Sequence, residues 1–567
     1  MRYIALACDY DGTLAHHGSV SEETLAALER VRASGRKLLL VTGRQMDDLA
    51  TVFSRFDLFE RVVAENGALV ADPARREERL LGEAPPAVFV EDLQRRGVTR
   101  LGLGRVIVAT WRPHENEVLA AIRDLGLELQ VIFNKEAVMV LPPGVNKATG
   151  LAAALKDLQL SPHNVVAIGD AENDHAMMQA CECGVAVANA VPMLKERADL
   201  VTEGDHGRGV VELADRLVET DLAELEPALV RHEVLLGRAD DGARVGLPSY
   251  AGCVLVTGPS GGGKSTLTNG VLERLSDGDY QFCLLDPEGD YEEFGEGVLV
   301  GTIQNPPDIK EVLSVLEKPD QNAIVNLTGV QLDDRPAFFE ALLPRLLELR
   351  NRTARPHWII LDEAHHLLPA SWRPVPSLVP QRLHNVLMVT LEVNLLAPAI
   401  LRPVSTMLLL GQEAGAQLEE LSRALGERPP SLPPLALEKG QAASWNRSVP
   451  LVFQRFEVEP PRERHRRHRR KYAEGELIEE EHFVFRGPEG KLSLAAENLR
   501  SFLKIAEGVD EDTWLHHLRQ GEYSRWFREA IKDEQLAEEA AGVERDGPTA
   551  QESRARIREA IQRRYAV

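Results

Sequence analysis

At 567 residues the chain exceeds one ordinary core, and at about 100–200 residues per domain it predicts about three to five domains. With 44% hydrophobic and 27% charged residues there is apolar material for several cores, which excludes global disorder. Lys plus Arg is 65 against 88 Asp plus Glu, a formal charge of −23, so the chain is a poor passive binder of nucleic acid or anionic membrane, and a polyanion partner would need a local basic patch or metal ions.

No run approaches the roughly 18 apolar residues of a membrane span, so no membrane insertion is expected. Met1–Ala7 is too short an apolar stretch for a signal peptide, and a cytoplasmic location is expected. The cysteines Cys8, Cys181, Cys183, Cys253 and Cys283 have neither disulfide-framework nor zinc spacing, and read as reduced thiols.

The fold class predicted is multidomain α/β, built from two phosphate-handling modules in series and a helical tail. Residues 1–215 alternate short apolar runs with helical patterns. Residues 216–250 read as a connector, and 251–455 as a second βα alternation. Residues 456–492 read as a basic linker, and 493–567 as a charged helical domain with apolar residues such as Phe502, Trp514 and Trp526 near helical spacing.

The first apolar run, Ile4–Cys8, stops at Asp9-Tyr10-Asp11-Gly12-Thr13. Side chains alternate along an extended segment, so Asp9 and Asp11 are expected to point the same way. Two carboxylates at a strand's end can divide labour, one attacking phosphorus and the other moving a proton. A carboxylate beside a phosphate dianion needs a hard cation, most simply Mg²⁺. The run Lys37–Val41 ends at Thr42-Gly43-Arg44, where a hydroxyl and backbone N–H groups could hold phosphate oxygens. Lys147, at a predicted helix start after Gly144, could neutralise nucleophile and phosphate. Val165–Ile168 leads to Asp170 and Asp174, four apart and suited to a metal or to orienting its ligands.

In order, these four segments resemble the motifs of the haloacid-dehalogenase-like phosphohydrolases. The resemblance implies that Asp9 forms an aspartyl-phosphate and Asp11 is the acid/base. It implies that Thr42, Gly43 and Lys147 bind phosphate. Mg²⁺ would sit on Asp9, Asp170 and the Asp11 carbonyl, with Asp174 close by. Glu65-Asn66-Gly67-Ala68 and the Thr-Gly-Arg segment resemble the sugar-phosphatase branch, in which a cap chooses the substrate. The implied architecture is a Rossmann-like core (about 1–79 and 144–215) with a small α+β cap (about 80–143), short like those of phosphoglycolate-phosphatase-type members.

Cys253–Thr257 leads into Gly258-Pro259-Ser260-Gly261-Gly262-Gly263-Lys264-Ser265-Thr266, a phosphate-cradling loop between a strand and a helix pattern. Gly258, Ser260, Gly261, Gly263 and Thr266 belong to the expected ATP cradle, with Lys264 on the β/γ-phosphates and Ser265 on Mg²⁺. Trp358–Leu361 ends at Asp362-Glu363, which suits a metal-shell carboxylate followed by a water-polarising one. Leu285–Tyr291 after the second strand, together with Ile360–His365, resembles the HerA/FtsK-like P-loop ATPases, which implies a RecA-like domain and often a hexameric ring. Leu391 stands where that group often has a γ-phosphate-sensing Gln; Gln412 is a weak substitute. Arg462–Lys471 holds seven Arg or Lys and one acid, and reads as a polyphosphate contact or as an arm paired with the chain's own acidic surface.

The expected protein is a phosphomonoesterase joined to an ATPase, a homo-oligomer with a possible nucleic-acid link. The alternatives are a small-molecule phosphatase gated by ATP and a kinase–phosphatase pair.

Overall fold

The computed structural model describes residues 1–375, 378–430, 435, 437–448, 453–462, 481–490, 492–531 and 533–565. The first part of the chain forms β1 (Ala5–Asp9), β2 (Lys37–Val41), β3 (Arg61–Ala64), β4 (Leu69–Asp72) and β5 (Glu77–Leu80). An insertion follows with β6 (Gly102–Leu103), β7 (Val108–Trp111), β8 (Gln130–Asn134) and β9 (Ala137–Leu141). The chain then returns for β10 (Val165–Gly169), β11 (Cys183–Ala186) and β12 (Leu200–Val201).

β1, β10 and β11 are buried at every residue, and β2 at all but its first, as parallel strands covered on both faces must be. The sheet order is β12-β11-β10-β1-β2-β3-β4-β5, antiparallel only where β4 and β5 join. In register, Asp9 lies opposite Val41, and Cys8 opposite Ile168. Thr42 and Asp170, one and two residues further on, therefore emerge with Asp9 at the carboxyl edge, where open α/β sheets bind ligands. The insertion is a separate antiparallel sheet, β6-β7-β9-β8, packed on helices Ala87–Arg95 and Glu115–Asp124 through Phe89, Leu93, Val118 and Val138.

The second sheet contains β13 (Val234–Arg238), β14 (Arg244–Leu247), β15 (Cys253–Thr257), β16 (Phe282–Asp286), β17 (Val298–Val300) and β18 (Ala323–Asn326). It continues with β19 (Trp358–Leu361), β20 (Val386–Thr390), β21 (Val404–Leu410), β22 (Gln441–Asn446) and β23 (Phe453–Val458). Its order is β14-β13-β23-β22-β21-β15-β20-β19-β16-β18-β17. The stretch 216–250, read from sequence as a connector, thus contributes a hairpin to this sheet. Val234, Leu236, Val245 and Leu247 are buried, so the hairpin has an apolar face to cover.

The C-terminal part has a short hairpin, β24 (Phe483–Phe485) with β25 (Leu494–Ala496), and five helices from Leu499 to Gln562. Phe483, Phe485, Phe502, Trp514, Tyr523 and Trp526 form its aromatic core. All five cysteines are buried and unpaired. Among the described residues, no helix is long and apolar enough to cross a membrane. Of the basic run only Arg462 is described, and it pairs with Asp277 at 2.7 Å; the rest of Arg462–Lys471 lies outside the described residues.

A buried polar clamp joins the first two sheets. Glu182 accepts from Arg2 (2.6 Å), Tyr280 Oη (2.6 Å), His163 (2.8 Å) and Ser249. The His163 and Tyr280 rings stack at 3.7 Å, and His357 meets Asn164 at 3.2 Å. Burial would raise the Glu182 carboxyl, but the hydrogen bond from His163 and the charge of Arg2 hold it well below the usual carboxylate range. His163, Glu182 and His232 lie within metal-binding distance of one another, yet four protein donors already occupy Glu182, so the group reads as a clamp.

Arg2, Asn164, Gln281 and His357 precede β1, β10, β16 and β19, so the clamp sits at the amino edges of both sheets. The carboxyl edges point away from each other.

Candidate active sites

At the first sheet's carboxyl edge, Asp9, Asp170 and Asp174 are buried together, with carboxylate oxygens within 4.8 Å of one another. Lys147, the first residue of a helix capped by Asn146, donates to Asp9 at 2.5 Å and to Asp174 at 2.6 Å. Asp174 also accepts from the backbone N–H groups of Asp170 (2.9 Å) and Ala171 (3.0 Å), which closes the loop after β10. Gly12 is in the left-handed region (φ 85°), and a Cβ there would lie 2.2 Å from Asp170; only glycine lets the two motif loops touch.

Burial, then the neighbouring Asp174, pushes the Asp9 carboxyl well up, against the pull of Lys147. One oxygen of Asp170 is buried without a hydrogen-bond partner. Three buried carboxylates, all hard oxygen donors, with one orphaned oxygen fit a divalent cation such as Mg²⁺.

Asp11 does not share the orientation expected from strand alternation. The turn at Gly12 takes its carboxylate out of the buried cluster and into a bidentate pair with Arg44, at 2.6 and 2.8 Å. Thr42 is buried, and its hydroxyl accepts from the Arg44 N–H at 3.1 Å. Gly43 faces the cap: a Cβ there would come within 3.5 Å of Met139 and 3.9 Å of Asn134.

Glu65-Asn66-Gly67, between the core strands β3 and β4, forms a contact between core and cap. Glu65 and Asn66 have positive φ (51° and 55°), uncommon for residues with a side chain, and Gly67 continues the turn at 104°. The Glu65 carboxylate accepts from the N–H groups of Arg105, Val106 and Ile107 in the cap, at 2.9, 2.8 and 3.0 Å. Asn66 accepts from Asn173 at 2.9 Å, and Gly67 lies so close to Asn146 that a Cβ would overlap its carbonyl. The sequence marks this segment but does not reveal the contacts it makes. It is also silent on Lys135, the cap residue whose ammonium reaches Asp170 at 2.5 Å.

The second site lies at the carboxyl edge of β15, β19 and β20. Gly261 and Gly263 have φ of 74° and 101°, which lets the loop curl before the helix that begins at Lys264. The Lys264 ammonium donates to Gly258 O (2.7 Å) and Pro259 O (3.1 Å), folded onto its own loop. Ser265 is the second residue of that helix, while Ser260 and Thr266 lie on either side of the loop's turn; Ser260 is exposed.

Asp362 is buried at the end of β19, and Glu363 follows in the left-handed region (φ 39°). Burial, then Glu363, Asp290, Asp286 and Glu288, drives the Asp362 carboxyl well up. Asp286 is a loop anchor, accepting from Gly289, Asp290 and Tyr291 N–H at 2.8, 3.1 and 2.9 Å. Thr390, at the end of β20, contacts His365 at 3.4 Å, and His365 lies 3.5 Å from Glu363. Burial lowers the His365 pKa to about 4. Gln412 is exposed beyond β21. Gln417, not singled out from sequence, instead joins the strand ends, accepting from Thr257 (3.1 Å) and from Val393 N–H (2.9 Å).

Comparison with known proteins matches residues 6–83 and 106–213 to the haloacid dehalogenase-like hydrolase family, and residues 235–389 to the AAA ATPase domain. Phosphoglycolate phosphatase 2 of Saccharolobus solfataricus is 32% identical over 224 residues, 38% of this chain and 92% of that protein. A phosphoglycolate phosphatase of Methanothermobacter thermautotrophicus is 32% identical over 230 residues, 38% of this chain and 98% of that protein. Among solved structures, a haloacid dehalogenase-like hydrolase from Bacteroides thetaiotaomicron is 20% identical, covering 38% of this chain and 99% of its own, with a TM-score of 0.33. The chain thus carries a hydrolase domain followed by an ATPase domain.

Proposed function

This chain belongs to the haloacid dehalogenase-like hydrolases through its N-terminal domain, and on that premise we propose that this domain is a Mg²⁺-dependent phosphatase of small esters of the 2-phosphoglycolate kind. The observation that carries the reading is the buried set Asp9, Lys147, Asp170 and Asp174 under a small cap. In this reading the Asp9 carboxylate attacks phosphorus, the bond to the leaving oxygen breaks, and Asp11 gives that oxygen a proton. Water then attacks the aspartyl-phosphate, Asp11 takes its proton, and phosphate leaves as Asp9 is restored. Lys147 holds one oxygen of Asp9 and, with Thr42 and Gly43, the phosphate. A cation held by Asp9, Asp170 and the Asp11 carbonyl, beside Asp174, would screen the repulsion between carboxylate and phosphate dianion. The four-stranded cap and the contact of Glu65 with it support the capped sugar-phosphatase branch.

The second domain, in the same reading, binds and hydrolyses MgATP. Gly258, Ser260, Gly261, Gly263, Lys264 and Thr266 hold phosphates, Ser265 and Asp362 hold Mg²⁺, and Glu363 polarises water. A HerA-like ring and a nucleic-acid link are the finer form of this reading. Because the clamp joins the two sheets back to back, ATP gating of the phosphatase through the strands is the second reading.

A panel of esters with Mg²⁺ tests the first domain: 2-phosphoglycolate should be cleaved at least about tenfold more efficiently than hexose phosphates. Equal rates on every ester would sink the substrate reading. ATP hydrolysis with and without DNA tests the second: strong stimulation supports a nucleic-acid motor, and none supports an ATP sensor.

A further inference from the structure

Lys135 sits in the two-residue turn between β8 and β9, at the tip of the cap, with φ 52°. A bulky residue in the left-handed region is uncommon and strained. Its backbone N–H donates to Glu172 at 3.2 Å, so the hairpin tip is docked on the loop that carries Asp170 and Asp174. Its ammonium lies 2.5 Å from Asp170, yet the side chain is 48% exposed while Asp170 is wholly buried. On the other side of the cap, Glu65 grips three backbone N–H groups. The cap is therefore held from two sides, and Lys135 is its cation nearest the buried carboxylates among the described contacts.

Asp170 cannot keep both partners at full strength. A divalent cation among Asp9, Asp170 and Asp174 would take the other, unpartnered Asp170 oxygen, and its charge on that carboxylate would loosen the hold on Lys135. The docked backbone would keep the released ammonium at the site, on a flexible four-carbon stem. The cap lies over the same sheet edge, where a Cβ at Gly43 would meet Met139 at 3.5 Å and Lys135 reaches Asp170, so the far end of an ester attacked by Asp9 would meet the cap.

We propose that Lys135 is the specificity-determining residue of the phosphatase site, exchanging Asp170 for the carboxylate of a short carboxylated phosphate ester once a divalent cation is bound. This rests on the phosphatase reading above and adds to it the residue that reads the far end of the substrate. No bond is made or broken by Lys135; the ammonium moves from one carboxylate to another.

The test uses full-length Asp9→Asn protein with Mg²⁺, which separates binding from turnover. Calorimetry compares 2-phosphoglycolate with ethyl phosphate, which has a methyl group in place of the carboxylate. The parent should prefer 2-phosphoglycolate by about tenfold or more, and adding Lys135→Ala should shrink that preference to about threefold or less. Lys135→Arg should keep most of it. Without ester, Mn²⁺ titration followed by electron paramagnetic resonance should show tighter binding in Lys135→Ala, because the competing ammonium is gone. A preference unchanged by Lys135→Ala, equal weakening of both ligands, or no preference in the parent would overturn the proposal. Ester hydrolysis by the unsubstituted protein separates the two readings. If nothing is hydrolysed but the preference collapses, the phosphatase reading fails and Lys135 stands. If 2-phosphoglycolate is hydrolysed and the preference persists, Lys135 fails and the phosphatase stands.

Discussion

The two centres occupy equivalent places, the carboxyl edges of parallel sheets, but their motif lysines make different contacts. At the first, Lys147 and Lys135 already sit on Asp9, Asp174 and Asp170 at hydrogen-bond distance. At the second, Lys264 donates to the Gly258 and Pro259 carbonyls of its own loop, and burial, then Glu363, Asp290, Asp286 and Glu288, drives the Asp362 carboxyl up. The first centre carries most of its own counter-charge and holds its geometry before any ligand arrives. At the second, a phosphate entering the loop would have to take the place of the two carbonyls that Lys264 now holds. Preorganisation of the first kind suits a hydrolase acting on small esters. In the proposed reading the second arrangement would couple the loop's geometry to nucleotide occupancy.

The sharpest way to break this comparison is to remove each centre's key charge. Asp9→Asn is expected to lower ester hydrolysis by at least about 1,000-fold, measured as phosphate release from 2-phosphoglycolate. Lys264→Ala is expected to lower ATP turnover by about 100-fold or more, with loss of fluorescent-nucleotide binding.

A smaller effect is expected at the clamp that sets the centres back to back. Glu182→Gln leaves Arg2 buried beside a neutral amide, and should destabilise the protein by about 3 kcal/mol in denaturant unfolding. A change within error would show that the clamp is not a stabilising junction.

The smallest effect is with acid. His357 is buried and its pKa is driven well below the usual value, first by burial and then by His163, while that of His365 falls to about 4. Below their ordinary value of about 6.5 the unfolded chain takes up protons that the folded chain refuses. Their stabilising contribution is therefore complete above that value and declines as pH falls. The unfolding midpoint should drop by about 5 °C between pH 7.5 and pH 5. A rise over that range would contradict the burial of these imidazoles as neutral groups.

Much of both centres was legible because their parts are local. A buried apolar run ending in Asp9-x-Asp11-Gly12, or in Gly258–Thr266, fixes strand, turn and chemistry within a dozen residues. Lys147 and the Asp170–Asp174 loop were legible for the same reason. What alternation could not give was the Asp11 side-chain direction, because the left-handed turn at Gly12 breaks the strand period there. Lys135 was invisible, since its role depends on a cap folding back across 35 residues of sequence to Asp170. The clamp was invisible too. Arg2, His163, Glu182, Tyr280 and His357 carry no motif, and only the packing of one sheet's amino edge on the other brings them together. The hairpin at 234–247 was missed because its short alternating runs flank a Gly- and Asp-containing turn and read as a connector.

The central claim is that one chain holds two separate phosphate-cleaving centres. The direct test is the crossed measurement: ATP hydrolysis by Asp9→Asn protein, and 2-phosphoglycolate hydrolysis by Lys264→Ala protein, each against the unsubstituted chain. Retention of the untouched activity in both variants, within about twofold, is the predicted result. Joint loss of both activities in Asp9→Asn protein would contradict it, because a single centre would then be doing all the chemistry.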